Sequence, residues 1–523
     1  MSERKTGKNN GFMSGVLVLS LSAVIVKIIG LIYKIPMLRL LGSEGMGYFN
    51  SAYEIYTLFG AVATAGLPVA MSVMISSGRD GERVFKTAIR LFFAVGAVLC
   101  GIMLALCRPY SQFIGGGALL CLISISPSVC IICISSAYRG FFQGHGKMAP
   151  TALSQVIEAA GKLVLGLTFA YVALISGKNT PAVAAYAALG LTLGSLLSAA
   201  YLILAKKRAE KSEETSEGYS REKILPTLVK LSLPVSLSAA VISLARVVDM
   251  TVILRRLQTL GGNAEDAFAA YGNYTTLALP LFGVAPAFVG AVALPLIPEL
   301  SRAVADRDRS GEIRAVSNAL RLASLISMPV SVGLILFSRP ILELIFSGEN
   351  EAIAVATPLL AILGFSVTLS CLVTVTNSIL QAYSSPTLPV VSMAVGSALK
   401  LALAYFLIGN PKIGLLGAPI STFFCDLAIN FVNFAFIRRK IDEMPRIFDV
   451  MIKPLLSAVL SVGGARVLYN IMAARLGESA KITLTAIGFA ACGYLILSIC
   501  TGVLKKEDLP FLNKKNIIIK KEE

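Results

Sequence analysis

Residues 151–174, TALSQVIEAAGKLVLGLTFAYVAL, read as one membrane-crossing helix. The run is long enough for a hydrocarbon core of about 30 Å, which takes about 20 residues. Yet it holds Glu158 and Lys162 within its apolar body. At about 1.5 Å per residue, Lys162 stands roughly 17 Å beyond Thr151. A charge at that depth costs at least about 2.5 kcal/mol. The simplest account is that the two charges, four residues apart, neutralise each other on one helix face.

The rest of the chain places this helix among many. Of 523 residues, 55% are hydrophobic and only 15% charged, with mean hydropathy +0.76. An average soluble domain carries about 25% charged residues. The composition predicts a polytopic membrane protein. The net charge of +17 does not point to nucleic acid, because the basic residues cluster between the apolar runs. No cleavable leader is expected, since the first apolar run is too long and contains Lys27.

Fourteen spans are predicted, near 13–38, 48–76, 84–107, 118–139, 151–175, 182–205, 227–254, 268–298, 315–337, 352–380, 388–408, 414–437, 450–472 and 482–504. Most Lys and Arg residues between spans fall in 4–8, 79–86, 139–147, 206–223, 302–314, 438–446 and 505–521. By the positive-inside rule these segments are cytoplasmic, which predicts both termini inside a multi-pass cytoplasmic-membrane protein. The basic tail 505–523 could also meet anionic lipids.

An internal duplication organises the spans. AYEIYT at 52–57 matches AYGNYT at 270–275, and Pro68 matches Pro286, both at an offset of 218. AIRL at 88–91 matches ALRL at 319–322, and Arg108-Pro109 matches Arg339-Pro340, at 231. Gln143, Ser154 and Lys162 match Gln381, Ser392 and Lys400 at 238. SLSA recurs at Ser20 and Ser236. The constant order predicts two parallel-related six-helix lobes, 1–205 and 227–440, joined by a linker at 206–226. Residues 441–504 add two further helices, and 505–523 form the tail. Two such lobes around a midplane cavity are the plan of an alternating-access transporter.

Depth sorts the charges. Arg90 and Arg321 sit near cytoplasmic span ends and are expected to snorkel. Lys34, Arg39 and Glu54 sit near the outer ends of spans 1 and 2, where interfacial anchoring is an equal account. Lys27, Glu158, Lys162, Lys400 and Asp426 lie deeper, and Arg246 and Asp249 are spaced to pair on one helix. The position matching Glu158 is Gly396, so Lys400 lacks a neighbouring acid on its own helix. A cavity carrying Lys27, Lys162, Arg246 and Lys400 would attract an anion, and phosphate suits both Lys and Arg. Asp426 keeps open an ion-coupled exporter.

Other motifs carry little. Cys130 and Cys133 form a CxxC without a second ligand pair and read as small apolar residues. The one histidine, His145, lies in a Gly-rich turn, GFFQGHGKMAP, whose GHGK lacks phosphate-loop spacing. No enzyme, metal site or cofactor is expected, though coupling to an ion or to the membrane potential is compatible with the charges.

Residues 27–72, KIIGLIYKIPMLRLLGSEGMGYFNSAYEIYTLFGAVATAGLPVAMS, resemble the opening of the polysaccharide-transport branch of the multidrug/oligosaccharidyl-lipid/polysaccharide flippase superfamily. Residues 138–167, YRGFFQGHGKMAPTALSQVIEAAGKLVLGL, resemble a second signature of its stage V sporulation protein B group. The resemblance covers essentially the whole chain. It implies a V-shaped all-α transporter with a cationic cavity, and outward flipping of an undecaprenyl-diphosphate-linked saccharide, lipid II being the first guess. It also implies a lipid-tail groove on spans 13 and 14. Gram-negative lipid II flippases of the superfamily are less similar. They carry an Arg-Asp pair in span 1 where this chain reads VKIIGLIYK, and a span-8 cation where residues 268–298 hold no Lys or Arg. The candidate substrate-binding residues are therefore this chain's own charges: Lys27, Lys34, Arg39, Glu54, Glu158, Lys162, Arg246, Asp249 and Lys400. A monomer is expected, with cell-wall synthesis proteins as further partners. The competing readings are an ion-coupled multidrug exporter and a membrane scaffold for cell-wall or spore enzymes.

Overall fold

A computed structural model of the chain describes residues 3–210, 224–293, 296–383, 387–441 and 448–504. Most of the predicted linker 206–226 and the whole basic tail lie outside these residues. Among the described residues every regular element is helical. Thirteen segments are long and apolar enough to cross a membrane. The first, Leu21–Ser76, has 56 residues and so holds both of the first two predicted spans. No loop separates them. Helix α1, Glu3–Thr64, breaks at Gly42 (φ 66°, ψ 177°), a backbone conformation that costs only glycine little.

The chain divides into two compact units, Met1–Thr276 and Leu277–Glu523. The first contains α1, α2 (Gly66–Ser76), α3 (Gly81–Ile114), α4 (Leu119–Gly144), α5 (Met148–Ile175), α6 (Thr180–Glu210), α7 (Ile224–Thr259) and α8 (Ala264–Asn273). Within it α5 packs on α6, α4 on α3 and α6, and α1 on α5, α7 and α8. The Asp80 carboxylate opens α3 by accepting from the Glu82 and Arg83 amides at 3.0 and 3.2 Å. His145 packs its ring on Phe141 at 4.4 Å and against Gly81, a packing role that fits its place in a turn.

A π-helical turn, Tyr274–Ala278, leads into the second unit. That unit contains α9 (Leu279–Phe282), α10 (Val284–Ala293), α11 (Leu296–Ala305), α12 (Arg309–Leu336), α13 (Ser338–Ile345), α14 (Asn350–Ala382), α15 (Thr387–Ile408), α16 (Gly417–Arg438), α17 (Lys453–Leu476) and α18 (Ala480–Cys500). Here α12 packs on α14 and α17, α14 and α15 on α16, and α17 on α18. The added pair α17–α18 is seated on α12 by apolar contacts around Val462, Ala465, Tyr469 and Tyr494. The Tyr494 hydroxyl donates to the Leu325 carbonyl at 2.9 Å.

That docking separates two arginines that the duplication equates. Arg90 on α3 is exposed, as expected of a residue reaching for water. Arg321 on α12 does not snorkel: it is 7% exposed and donates to the Val503 carbonyl, just past α18, at 2.7 Å. The added helices cover it, and in exchange it satisfies a carbonyl at a helix end. A hydrogen bond from a charged group is worth about 1.5–3 kcal/mol. Arg321→Met is therefore expected to lower the melting temperature of the purified protein and to open α18 to protease. Arg90→Met should change neither, and identical behaviour of the two variants would contradict the assignment.

Candidate functional site

The α5–α6 seam sets the backbone of the opening segment. A Cβ on Gly190 would stand 2.3 Å from the Gly166 Cα. A Cβ on Gly194 would stand 2.7 Å from the Lys162 amide nitrogen and 3.1 Å from the Glu158 carbonyl oxygen. With glycines at these places the two backbones touch, the small-residue packing that membrane helices favour. The position of Lys162 is thus fixed through its own main chain.

Glu158 makes its direct ion pair with another helix. Its Oε2 accepts from the Arg139 guanidinium on α4 at 2.9 Å. Arg139 is 8% exposed and also donates to the Ser154 hydroxyl at 3.0 Å and the Ser198 hydroxyl at 3.2 Å. One arginine thereby ties α4, α5 and α6 together. The pairing of Glu158 with Lys162 alone is too narrow: Lys162 stays within electrostatic reach of Glu158, and the direct ion pair of Glu158 is with Arg139 on another helix. Among the described residues no carboxylate lies within 4.0 Å of the Lys162 ammonium. It stands instead over the Tyr53 ring, 5.5 Å from its centroid, an arrangement that holds a cation without neutralising it.

Helix α1 supplies the neighbouring groups. Lys34 donates to the Thr275 carbonyl at 2.6 Å. Thr275 lies in the π-helical turn, where the usual main-chain ladder is interrupted. Asn50 donates to the Thr275 and Thr276 hydroxyls, both at 2.9 Å. Glu54 lies 4.0 Å from the Arg246 guanidinium, which also donates to Ser243 at 3.0 Å. Arg246 therefore reaches α1, not the Asp249 that its spacing suggested. Both copies of the repeat, 52–57 and 270–275, fall in the first unit, and α1 and α8, which lead into them, meet through glycine. A Cβ on Gly47 would stand 2.0 Å from the Phe268 carbonyl oxygen, and one on Gly272 2.0 Å from that of Ser43.

Lys34, Glu54, Glu158, Lys162 and Arg246 thus belong to one polar seam along α1, α5 and α7, with Asp249 near it on α7. Lys27 is exposed on α1, away from these contacts. Arg39 is exposed and lines a recess of about 430 Å³ with Pro36, Leu40, Leu167, Thr168 and Tyr171. Lys400 stands in the second unit, on α15, within electrostatic reach of the buried Asp426 carboxylate on α16. That acid is not on the helix of Lys400 but on the next one. Gly396, which replaces Glu158, is closed over by Ile429. The residues that sequence reasoning passed over are Arg139, Tyr53, Asn50 and Thr275.

The polysaccharide biosynthesis protein family model matches residues 12–301, more than half of the chain, and the MatE model matches 234–406. The chain is 24% identical to stage V sporulation protein B of Bacillus subtilis over 95% of its own length and 97% of that protein's. It is 24% identical to lipid II flippase MurJ of the same organism over 91% of this chain and 89% of that one. A solved structure of lipid II flippase MurJ in an inward closed conformation superposes with a TM-score of 0.69 at 18% identity, covering 92% of this chain and 98% of that one. The fold is that of the alternating-access transporters of this superfamily, and the protein is multi-pass. The chain belongs to the polysaccharide biosynthesis protein family, in the stage V sporulation protein B and MurJ group of the multidrug/oligosaccharidyl-lipid/polysaccharide flippase superfamily.

Proposed function

We propose that this protein flips an undecaprenyl-diphosphate-linked saccharide, lipid II or a related cell-wall or spore-cortex precursor, from the inner to the outer leaflet of the cytoplasmic membrane. The observation that carries the reading is Lys162: a cation within a span, held over an aromatic ring, with its nearest acid already engaged by Arg139. A diphosphate supplies the missing negative charge. Lys34 and Arg246 add positive charge along the same seam, and similarity to flippases of lipid-linked precursors supports the substrate class. Both termini lie in the cytoplasm on this reading, from the distribution of Lys and Arg.

Direction follows from charge. With the cytoplasm negative, moving one negative charge outward gains about 2.3 kcal/mol per 100 mV. Asp426 supports a second reading, an ion-coupled exporter, since its Oδ2 is buried without a hydrogen bond.

Expression in a strain depleted of its lipid II flippase tests the proposal. Wild type is expected to restore growth, and Lys162→Ala at equal expression to abolish rescue. Lys400→Ala tests whether the duplicated lysine shares the role. Full rescue by Lys162→Ala would refute its assigned part, and failure of wild type would exclude lipid II as the substrate.

A further inference from the structure

Four aromatic rings follow one another along α1. Tyr33 and Phe49 have centroids 6.1 Å apart, and Tyr53 and Tyr56 5.7 Å. Between them Phe49 and Tyr53 lie 6.4 Å apart, with planes 9° from parallel. Tyr33, Phe49 and Tyr56 are buried, whereas Tyr53 is partly exposed. Neighbours one turn before and one turn after it on the same helix face therefore fix the Tyr53 ring, while part of its surface stays open to contact. Over that ring stands the Lys162 ammonium. A cation over a ring face is held by a weak attraction, which a phosphate oxygen outcompetes.

The next residue adds hydroxyl-binding capacity. Glu54 is also partly exposed, and its Oε2 accepts from the Thr57 hydroxyl at 3.4 Å. Its 4.0 Å distance from Arg246 is too long for a hydrogen bond. A carboxylate offers about four acceptor positions, so Glu54 keeps capacity for hydroxyl donors. A pyranose ring is apolar on its C–H faces and polar around its edge. The negative face of an aromatic ring attracts such C–H groups, and a carboxylate beside it takes the hydroxyls at the edge. Tyr53 and Glu54 provide both contacts next to the cation.

We propose that Tyr53 is the platform for a sugar ring of the substrate, with Lys162 as its placeholder. The diphosphate draws the ammonium off the ring, and the sugar stacks in the space it leaves, its hydroxyls turned to Glu54. This inference rests on the flippase reading above. It orders recognition: the diphosphate acts first and uncovers the surface that the saccharide then takes. A carrier lipid without its sugar fills only half of the site.

The chain contains no tryptophan, so Tyr53→Trp keeps a stacking ring and introduces a single indole fluorophore. The purified full-length variant in detergent is titrated with undecaprenyl diphosphate and with lipid II. Undecaprenyl diphosphate should shift the indole emission as the ammonium leaves, and lipid II should shift it further. Affinities of wild type, Tyr53→Phe and Tyr53→Leu for the two lipids are measured by native mass spectrometry. Wild type and Tyr53→Phe should bind lipid II about tenfold more tightly than undecaprenyl diphosphate. Tyr53→Leu should lose that preference yet bind undecaprenyl diphosphate at least as well as wild type, since no ring then competes for Lys162. Equal binding of the two lipids by wild type, or an undiminished preference in Tyr53→Leu, would overturn the platform and leave the flippase reading standing. So would an indole emission that neither lipid moves although both bind, a result independent of whether Tyr53→Leu folds. Binding of neither lipid by wild type would refute the flippase reading, and this inference with it.

Discussion

Arg139→Leu is expected to lose most of the stable protein and all transport, although Arg139 need not touch substrate. Removing the arginine leaves Glu158 buried beside α4 with no cation within hydrogen-bonding distance. Breaking one partner of a buried pair costs about 3–5 kcal/mol, because the remaining charge is uncompensated. The Ser154 and Ser198 hydroxyls lose their shared donor as well. The double variant Arg139→Leu, Glu158→Leu removes both charges and should recover much of the melting temperature measured in detergent. It should still transport poorly, since Lys162 then faces a changed field. A double variant no more stable than Arg139→Leu would show that the pair is not the unit of stability.

The second half of the chain supports treating the pair as a unit. At the offset of 238 that aligns Lys162 with Lys400, Arg139 falls on Asn377 and Glu158 on Gly396. Both charges are absent together. Asn377 accepts from Asn433 at 2.9 Å, so a neutral amide contact stands where the first half has an ion pair. The lysine is repeated and its supposed neutraliser is not, which fits a glutamate that serves Arg139.

Spans and their order were legible because hydropathy alone decides them: a helix hidden in lipid must be apolar over its length. The sequence matches between the two halves were legible because loop insertions only shift their offset. Partner choice was not. Arg139 precedes a polar turn and reads as a loop charge, yet α4 continues to Gly144 and draws it inside. Arg246 has Asp249 one turn away, and spacing cannot show that Glu54 of α1 lies closer. Arg321 copies Arg90 in sequence, and only the docking of α17 and α18 buries it. In each case the deciding contact joins helices far apart in the chain, which periodicity along one helix does not record.

The same limit applied to the α5–α6 seam, and it yields the second large effect. Gly190 and Gly194, four apart on α6, look like two more small residues in an apolar run. Their absent side chains are what let α6 touch α5 at Gly166 and at Lys162. In an open helix position, glycine to alanine stabilises by roughly 0.5–1 kcal/mol. Gly101 on α3, where an added Cβ meets nothing within 4 Å, should follow that rule. At Gly190 the new methyl would stand 2.3 Å from backbone, which cannot yield as a flexible side chain does. Overpacking of this kind costs about 1–3 kcal/mol or more. Gly190→Ala should therefore lower the melting temperature in detergent where Gly101→Ala raises it. Gly194→Ala should in addition displace Lys162 from Tyr53 and reduce transport beyond what its loss of stability explains. A melting temperature for Gly190→Ala equal to or above wild type would mean that α5 and α6 are not in backbone contact, and would remove the support on which the position of Lys162 rests.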